Sequence, residues 1–188
     1  MLDRRELVRQ LLVDRGDLLV VSGLGSATYD TAAAGDHPLN FYLWGAMGGT
    51  AMIGLGLALA QPERRVAVLT GDGDMLMGLG SLATIGVKQP KNLAIVVLDN
   101  AHYGETGMQA SHTHSGIDLV AVALGCCFKH ARAISRIEEA ADVRKLLHAG
   151  EGPILVSARI SEEDVPRVLP IRDGHAIKQR FIAALNSA

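Results

Sequence analysis

Short apolar runs constrain the fold of this chain more than any other feature. Residues 66–69 and 93–98 contain no polar side chain, and the runs at 17–22 and 154–158 have an equally apolar centre. A strand that lacks polar alternation is buried on both faces, which is typical of a parallel sheet covered by helices. The sequence therefore predicts an α/β protein built on a parallel sheet.

The segments between these runs carry helical patterns. Leu7, Val8, Leu11 and Leu12 recur at helical spacing, which predicts an amphipathic helix at the N-terminus. Further helices are predicted at residues 26–34, 48–60, 75–87, 118–124, 137–148 and around 177–185, with short extended segments at 41–44 and 128–133. This alternation indicates a doubly wound sheet with helices on both faces, in a single domain of residues 1–188. Ligands bind such sheets at the carboxyl ends of the strands, near the point where the winding reverses.

The overall composition argues against several functional classes. Hydrophobic residues make up 48% and charged residues 20% of the chain, and the formal net charge is −2. This balance is globular and gives no electrostatic basis for binding nucleic acid or an anionic membrane. The longest apolar stretch, residues 51–60, is too short to span a bilayer, and the charged N-terminus lacks the apolar core of a signal peptide. Cys126 and Cys127 are adjacent and provide no disulfide framework, so we expect a cytoplasmic protein.

The residues that follow two of the runs form a candidate metal site. Gly71-Asp72-Gly73 follows the run at 66–69, and after 26 intervening residues Asn100 follows the run at 93–98. Asp72 supplies a carboxylate oxygen and Asn100 an amide oxygen, which suit Mg²⁺ bound together with phosphate. The glycines allow a sharp turn and a close approach of the backbone to phosphate oxygens, and the next helix presents free N–H groups. An isolated Gly-Asp-Gly is also a common turn, so a purely structural role is the alternative.

The spacing and flanks of these motifs resemble the signature of thiamine diphosphate-dependent 2-oxoacid decarboxylases. The resemblance covers residues 20–128 and is closest to the small β subunit of sulfopyruvate decarboxylase and the C-terminal domain of phosphonopyruvate decarboxylase. It rests on Phe41-Tyr42, Gly45-Ala46-Met47-Gly48, Gly71-Asp72-Gly73, Leu76-Met77, residues 80–86, Asn92-Leu93, Asn100 and Thr106-Gly107-Met108-Gln109. It implies the diphosphate-binding (PP) domain of the thiamine diphosphate-binding fold, with thiamine diphosphate and Mg²⁺ as cofactors.

The resemblance also implies roles for individual residues. In such enzymes a bulky apolar side chain lies beneath the cofactor and keeps its two rings folded over each other. Met47 occupies the matching position, and its flexible thioether suits the task, although a plain core methionine is the alternative. The implied metal ligands are Asp72, Asn100 and the backbone carbonyl of His102. The residues implied to contact the cofactor are Gly23, Gly25, Ser26, Gly45, Met47, Gly71, Asp72, Gly73, Asp74, Asn100, His102, Tyr103 and Gly104.

Some residues depart from related patterns. Asp74 stands where relatives often have alanine or serine, so its carboxylate either points away from the diphosphate or repels it. Asp99 replaces the first residue of a frequent Asn-Asn pair and leaves Asn100 intact. Gly23-x-Gly25 matches half of a dinucleotide-binding fingerprint, but Thr28 occupies the place of the third glycine, which argues against dinucleotide binding.

The resemblance implies one half of a split enzyme: the diphosphate-binding subunit of a sulfopyruvate or phosphonopyruvate type decarboxylase. In this family the glutamate that activates the cofactor lies on a pyrimidine-binding domain. No glutamate of this chain lies in a matching motif, so no catalytic residue is assigned. The implied partner is a pyrimidine-binding α subunit, in an assembly of dimers or tetramers, acting on a small 2-oxoacid. Alternatives are a subunit of another thiamine-dependent carboligase or oxidoreductase, and a non-catalytic domain that keeps the fold.

Three histidines and one loop complete the set of candidate residues. His37, His112 and His114 are predicted in loops near the cofactor, where they are either solvated or contact a second anionic group of the substrate. His112 and His114 are too few ligands for a transition-metal site by themselves. Residues 105–109 are predicted to close over the cofactor, and Thr106 and Gln109 are candidate substrate contacts.

Overall fold

The computed structural model describes residues 1–163 and 165–187 of the chain, and strands and helices alternate through them. The helices are α1 (Arg4–Leu12), α2 (Ser26–Ala33), α3 (Thr50–Ala60), α4 (Asp72–Met77), α5 (Ser81–Lys88), α6 (Leu119–Gly125), α7 (Ala140–Ala149) and α8 (Gly174–Asn186). The strands are β1 (Leu19–Ser22), β2 (Asn40–Tyr42), β3 (Val66–Gly71), β4 (Leu93–Asp99), β5 (His102–Tyr103), β6 (Gln109–Ala110), β7 (His130–Ile134) and β8 (Ile154–Arg159). Two 3-10 turns lie at Gly104–Thr106 and Ile137–Glu139.

Six of the strands form one parallel sheet in the order β2-β1-β3-β4-β8-β7. In the pairing of β3 with β4, Gly71 lies opposite Leu98. Because parallel strands end at the same edge, Asp72 and Asn100 leave the sheet side by side. The sheet and this shared edge confirm the predicted architecture.

Helices cover both faces of the sheet, which explains the absence of polar alternation in the strands. On one face, α1, α2 and α7 pack against side chains such as Leu69 and Val96. On the other face, α3, α5 and α6 pack against side chains such as Val68 and Ile95. Successive residues of a strand point to opposite faces, so each strand contributes to both cores. Every residue of β4 is buried.

The winding of the sheet reverses between β1 and β3. The chain leaves β1 through α2 to reach β2 at the sheet edge, and returns through α3 to β3 on the other side of β1. The helices α2 and α3 contribute to cores on opposite faces. The crevice of a doubly wound sheet therefore lies where the loops after β1 and β3 diverge, which is the predicted position of the ligand site.

The prediction of one continuous helix over residues 75–87 is wrong. The structure has two helices, α4 and α5, and α4 already begins at Asp72. The break follows from a close approach of two backbone segments: a Cβ atom on Gly78 would lie 2.1 Å from the carbonyl oxygen of Gly48. Only glycine tolerates that contact, and its helix propensity is low.

The other elements match their predicted positions to within a few residues, with two differences. The helix predicted at residues 137–148 begins with a 3-10 turn before α7. The loop predicted to close over the cofactor contains the short antiparallel pair of β5 and β6. Among the described helices, none is long and apolar enough to cross a membrane.

Candidate functional site

A cavity opens at the carboxyl edge of the sheet, where the loops after β1, β3 and β4 meet. Asp72 and Asn100 line this one cavity, although they are far apart in the sequence. Every residue that the resemblance assigns to the cofactor lines it except Gly23, Gly25 and Gly45. Gly23 is buried beside Asp74, Gly25 lies beside Glu105, and Gly45 is exposed.

Asp72 is the first residue of α4 and is 1% exposed. Its Oδ2 atom accepts hydrogen bonds from the hydroxyl groups of Ser111 and Thr113, the latter at 3.3 Å. These two hydroxyls belong to the segment after β6, so this loop and α4 meet at the carboxylate. Hydroxyl donors orient a carboxylate but do not neutralise its charge.

The electrostatic environment of Asp72 disfavours its charged form. Burial raises the pKa of its carboxyl group, and the nearby charge of Asp99 raises it further, while the Ser111 and Thr113 hydrogen bonds lower it. Within residues 1–163 and 165–187, no basic side chain forms an ion pair with Asp72. A desolvated carboxylate without a counter-ion favours the approach of a cation.

Two other buried aspartates, Asp99 and Asp30, have cationic partners, whereas the buried Asp74 accepts a backbone amide and a hydroxyl instead. Asp99 pairs with Arg159 at 3.2 Å and also accepts hydrogen bonds from the Thr113 hydroxyl at 2.8 Å and the Ala101 amide at 2.9 Å. Asp30 is fully buried between Arg4 and Arg5. Asp72 therefore differs from Asp99 and Asp30 by its uncompensated charge.

Asn100 begins a tight turn at the end of β4. Its Oδ1 atom accepts the backbone N–H of His102 at 3.0 Å, and its carbonyl oxygen lies 2.9 Å from the Nδ1 atom of His102. Ala101, between them, is buried and has a positive φ of 61°. An amide oxygen has two lone pairs, so the hydrogen bond to His102 leaves one lone pair of Asn100 available to a ligand.

The structure gives Asp74 a role within the protein. Its Oδ1 atom accepts the backbone N–H of Gly48, and its Oδ2 atom accepts the hydroxyl of Thr70. The carboxylate thus fixes the turn that carries Met47 onto the start of α4. Of the two options left by the sequence, this geometry favours a carboxylate directed at the protein, although Asp74 also lines the cavity.

Met47, Gly73 and Tyr103 form one wall of the cavity. A Cβ atom on Gly73 would lie 2.5 Å from the Tyr103 ring and 3.2 Å from the Cε atom of Met47. The missing side chain of Gly73 therefore lets the aromatic ring and the thioether lie against the first turn of α4. The hydroxyl of Tyr103 lies 3.1 Å from the Nδ1 atom of His112.

Gly25 and Ser26 form the start of α2 at the same edge. Gly25 has a positive φ of 72° and provides no side-chain cap for the helix. A Cβ atom at this position would lie 2.6 Å from the Cγ atom of Glu105, so the Glu105 side chain packs directly over the glycine. Ser26 and Glu105 both line the cavity.

Of the further candidates, the two histidines lie on the surface and Thr106 lies at the cavity. His112 and His114 are exposed and contact Tyr103 and His102, respectively, the latter pair with ring centroids 5.6 Å apart. Thr106 lines the cavity. The side-chain amide of Gln109 forms hydrogen bonds with the hydroxyl and the carbonyl oxygen of Thr106. Across residues 1–163 and 165–187, no cluster of three histidine, cysteine or acidic side chains could hold a metal ion.

The predicted location of His37 near the cofactor is wrong. His37 precedes β2 and therefore lies at the amino edge of the sheet, opposite the cavity. Its Nδ1 atom accepts the backbone N–H of Leu39 at 3.1 Å. Burial lowers the pKa of His37, and the nearby Arg15 lowers it further. The sequence placed His37 in a loop but did not show at which edge that loop lies.

Sequence reasoning missed three residues of this site. Ser111 and Thr113 bind the Asp72 carboxylate, and Arg4 lines the cavity from α1. The two hydroxyls carry no local signal because their contact depends on how the loop after β6 folds back. Arg4 has the charge of a solvated residue at the start of an amphipathic helix, so its burial is not visible in the sequence.

Comparison with known proteins identifies the family to which this cavity belongs. The family described as "Thiamine pyrophosphate enzyme, C-terminal TPP binding domain" matches residues 23–158. This stretch includes the loop after β1, the ends of β3 and β4, and most of the residues that line the cavity. The match confirms the resemblance derived from the motifs.

The relatives include several of almost the same length and others that are much longer. The sulfopyruvate decarboxylase subunit beta of Methanothermobacter thermautotrophicus is 39% identical over 190 residues, which cover 100% of this chain and 98% of the relative. The phosphonopyruvate decarboxylase of Streptomyces viridochromogenes is 41% identical over 144 residues, which cover 77% of this chain and 36% of the relative.

Solved structures share the fold. The thiamine diphosphate-dependent 4-hydroxybenzoylformate decarboxylase of Rhodococcus jostii RHA1 superposes with a TM-score of 0.71 at 22% identity, over 87% of this chain and 33% of that chain. This chain therefore has the fold of one third of a longer enzyme. The extent of the family match and the full-length relative show that the chain belongs to the thiamine pyrophosphate enzymes, as a C-terminal TPP-binding domain.

Proposed function

We propose that this chain is the diphosphate- and Mg²⁺-binding subunit of a split thiamine diphosphate-dependent 2-oxoacid decarboxylase. The observation that carries the proposal is the uncompensated carboxylate of Asp72 on the cavity wall. Its charge is desolvated, it has no basic partner among the described residues, and it lies beside Asn100 on the same cavity. A divalent cation that also binds phosphate oxygens would complete this arrangement.

The residues of the cavity fit a diphosphate. Gly73 and Gly25 leave the backbone open at the starts of α4 and α2, where side chains would collide with Tyr103 and Glu105. The first turn of α2 has no side-chain cap, so its N–H groups suit an anionic ligand. We assign the metal to Asp72, Asn100 and the backbone carbonyl of His102.

Thiamine diphosphate, when bound, supplies the electron sink that decarboxylation of a 2-oxoacid requires. The residues of this chain hold its charged end and shape the wall beside it. Met47 is the side chain that we assign to the position beneath the cofactor, because its turn is fixed by Asp74 and its Cε atom reaches the wall beside Gly73. This chain offers no assigned acid or base, so we place the activating glutamate on a partner subunit.

The need for a partner is supported by chain length and by the surface of α3. The relatives named sulfopyruvate decarboxylase subunit beta match this chain over nearly their full length, whereas the decarboxylases with solved structures are about three times as long. Helix α3 contains no charged residue, and its side chains Met52 and Leu59 are 41% and 50% exposed. This apolar face suits a contact with the pyrimidine-binding subunit or with a second copy of the chain.

The substrate class comes from the relatives. Several are named sulfopyruvate decarboxylase subunit beta, and others are named phosphonopyruvate decarboxylase. We therefore propose a 2-oxoacid with a second anionic group as the substrate. The residues that recognise this group are assigned to the interface between the two subunits.

Reconstitution tests the proposal. The chain would be purified alone and together with a pyrimidine-binding subunit, and supplied with thiamine diphosphate, Mg²⁺ and sulfopyruvate, phosphonopyruvate or pyruvate. We expect release of carbon dioxide only when both subunits are present, and loss of this activity when divalent cations are chelated. Turnover by the chain alone would contradict the split site, and a complex that does not bind thiamine diphosphate would contradict the cofactor.

A second reaction class is favoured by one relative. The 2-oxoacid:ferredoxin oxidoreductase 2 subunit beta of Aeropyrum pernix is 33% identical over 110 residues, which cover 56% of this chain. The same reconstituted preparation distinguishes the two classes when an artificial electron acceptor is added. A decarboxylase releases carbon dioxide without reducing the acceptor, whereas an oxidoreductase depends on it.

A further inference from the structure

Arg4 is a buried arginine at the start of α1 that lines the cavity. Its side chain is only 9% exposed, although α1 covers the outside of the sheet. The family match begins at residue 23, so Arg4 lies outside the stretch that defines the family. Burial of a guanidinium is costly unless an anion compensates its charge, so the position of Arg4 needs an explanation.

The charges around the cavity are unbalanced for an anionic ligand. Asp72, Asp74 and Glu105 contribute three carboxylates to its lining. Arg4 is the one arginine or lysine in that lining among the described residues. A bound Mg²⁺ would compensate Asp72, but the diphosphate itself carries further negative charge. Within the main cavity, Arg4 is the arginine that could neutralise the diphosphate directly.

Asp30 holds Arg4 in place but compensates only part of its positive charge. The Nε atom of Arg4 lies 3.2 Å from Asp30 Oδ2, and the Nε atom of Arg5 lies 3.3 Å from Asp30 Oδ1. Two guanidinium groups therefore share one carboxylate, which leaves an excess of one positive charge. The Nε atom of Arg4 has no hydrogen-bond acceptor within residues 1–163 and 165–187, so the attraction to Asp30 is ionic rather than a well-formed hydrogen bond.

The location of Arg4 indicates which part of the cofactor it would meet. Arg4 lies between the main cavity and a second cavity beside it, and Ser26 and Asn100 line both. Ser26 begins α2, and Asn100 is the proposed metal ligand. Arg4 therefore lies at the diphosphate end.

We propose that Arg4 binds the diphosphate group of thiamine diphosphate and donates hydrogen bonds from its guanidinium to phosphate oxygens. This inference rests on the proposed function and adds a residue to its cofactor site. The planar guanidinium matches phosphate geometry and can donate two parallel hydrogen bonds to phosphate oxygens. Asp30 acts as the positioning residue that holds the guanidinium at the cavity.

Arg4 and Arg5 provide a matched pair for the test. Both side chains form an ion pair with Asp30, but Arg5 does not line the cavity. The affinity for thiamine diphosphate in the presence of Mg²⁺ would be measured by calorimetric titration of the assembled two-subunit complex. We expect Arg4→Gln to lower this affinity by roughly 10- to 100-fold, the loss typical of a charge-assisted hydrogen bond. We expect Arg5→Gln to leave it unchanged.

The affinity for thiamine, which lacks the diphosphate, separates a phosphate contact from a general disturbance of the site. Arg4→Gln should leave the affinity for thiamine unchanged. Equal effects of Arg4→Gln and Arg5→Gln, or an equal loss of thiamine and thiamine diphosphate binding, would overturn the inference. A wild-type complex that fails to bind thiamine diphosphate would instead overturn the proposed function.

A second pair of variants covers the case in which Arg4→Gln alone does not fold, because it weakens the compensation of the buried Asp30. Asp30→Asn keeps Arg4 but weakens its positioning, so it should bind thiamine diphosphate less tightly than the wild type and more tightly than the double variant. The double variant Arg4→Gln with Asp30→Asn should bind thiamine diphosphate as weakly as expected for Arg4→Gln. Equal affinities of these two variants would also overturn the inference.

Discussion

The centre of the sheet and its carboxyl edge are both hidden from solvent, but they differ in how complete they are. In the centre, strands such as β4 are buried along their whole length and pack against helices on both faces. At the edge, Asp72 is as deeply buried as the strand residues, yet its charge has no counter-ion in the described part of the chain. The packing of the centre is complete without a ligand, whereas the buried carboxylate at the edge lacks a compensating cation.

This difference shows how one domain separates stability from function. Apolar burial in the centre supplies the free energy of folding, so the edge can keep a carboxylate in a state that is unfavourable without a cation. Substitutions in the two regions should therefore have opposite signatures. Those in the centre should change the free energy of unfolding, and those at the edge should change the binding of cofactor and metal.

The largest effect on stability is expected for Ile95→Ala in β4. Ile95 is fully buried in the core beneath α3 and α5, and truncation leaves a cavity. We expect the free energy of unfolding to fall by about 2–5 kcal/mol, with the affinity of the folded protein for cofactor unchanged. Urea denaturation and calorimetric titration measure the two quantities. If Ile95→Ala instead lost affinity for the cofactor and kept its free energy of unfolding, the distinction between centre and edge would be wrong.

Asp72→Ala should have the reverse signature. We expect the Mg²⁺-dependent affinity for thiamine diphosphate to fall by more than about 100-fold, because substitution of outer-shell partners of metal ligands alone costs 10- to 100-fold. The free energy of unfolding without cofactor should not fall, because the variant removes a desolvated carboxylate while Ser111 keeps Thr113, and Thr113 keeps Asp99, as hydrogen-bond partners. Asp142→Ala removes an exposed carboxylate of α7 and serves as the control. If Asp72→Ala unfolded and its Mg²⁺ dependence did not change, the Gly71-Asp72-Gly73 segment would be a structural turn and not a metal site.

Met47→Ala should affect activity more than stability, because Met47 is only half-buried. We expect the activity of the reconstituted enzyme to fall by roughly 10-fold or more through loss of cofactor orientation. The free energy of unfolding should change by less than about 1 kcal/mol. Turnover and urea denaturation provide the comparison. A stability loss of several kcal/mol with unchanged turnover would instead indicate a core methionine.

The smallest expected effect is a pH dependence of stability caused by Asp72. Burial raises the pKa of its carboxyl group, so the folded protein binds this proton more tightly than the unfolded chain does. The resulting stability is complete below the ordinary pKa of aspartate and is lost as the pH rises through the raised pKa. Without metal, the stability of Asp72→Asn relative to wild type should therefore increase with pH across this window.

Denaturation at several pH values, with chelator and with Mg²⁺ plus thiamine diphosphate, measures this difference. Bound cation favours the charged carboxylate, so the wild type should then be the more stable protein at neutral pH. A difference between the two proteins that stays constant with pH would show that Asp72 is not desolvated. Asp30 titrates equally in both proteins and cancels in the comparison.

The centre of the sheet could be predicted from the sequence because its signals are local. Apolar runs define β3 and β4, and the residues that end them define the shared edge, so the convergence of Asp72 and Asn100 on one cavity follows from parallel pairing. The turn chemistry of Gly71 and Gly73 is equally local. These features require no knowledge of which distant segments meet.

The remaining features of the edge depend on contacts between distant segments. The break between α4 and α5 is set by the backbone of Gly48 against Gly78, and a helical pattern cannot reveal this. Ser111 reaches Asp72 only because the loop after β6 folds back. The burial of Arg4 results from the docking of α1 beside Asp30. In each case the partner lies more than 20 residues away.

The bonds of Asp74 also restrict how sequences of this kind can diverge. Gly48 and Thr70 both depend on its carboxylate, so a replacement by alanine leaves two donors without an acceptor, at about 1–3 kcal/mol for each. A change at position 74 should therefore be inherited together with changes at position 70 or in the turn at 48. Replacing Asp74 alone by alanine should therefore harm the protein more than replacing it together with its partners at positions 48 and 70.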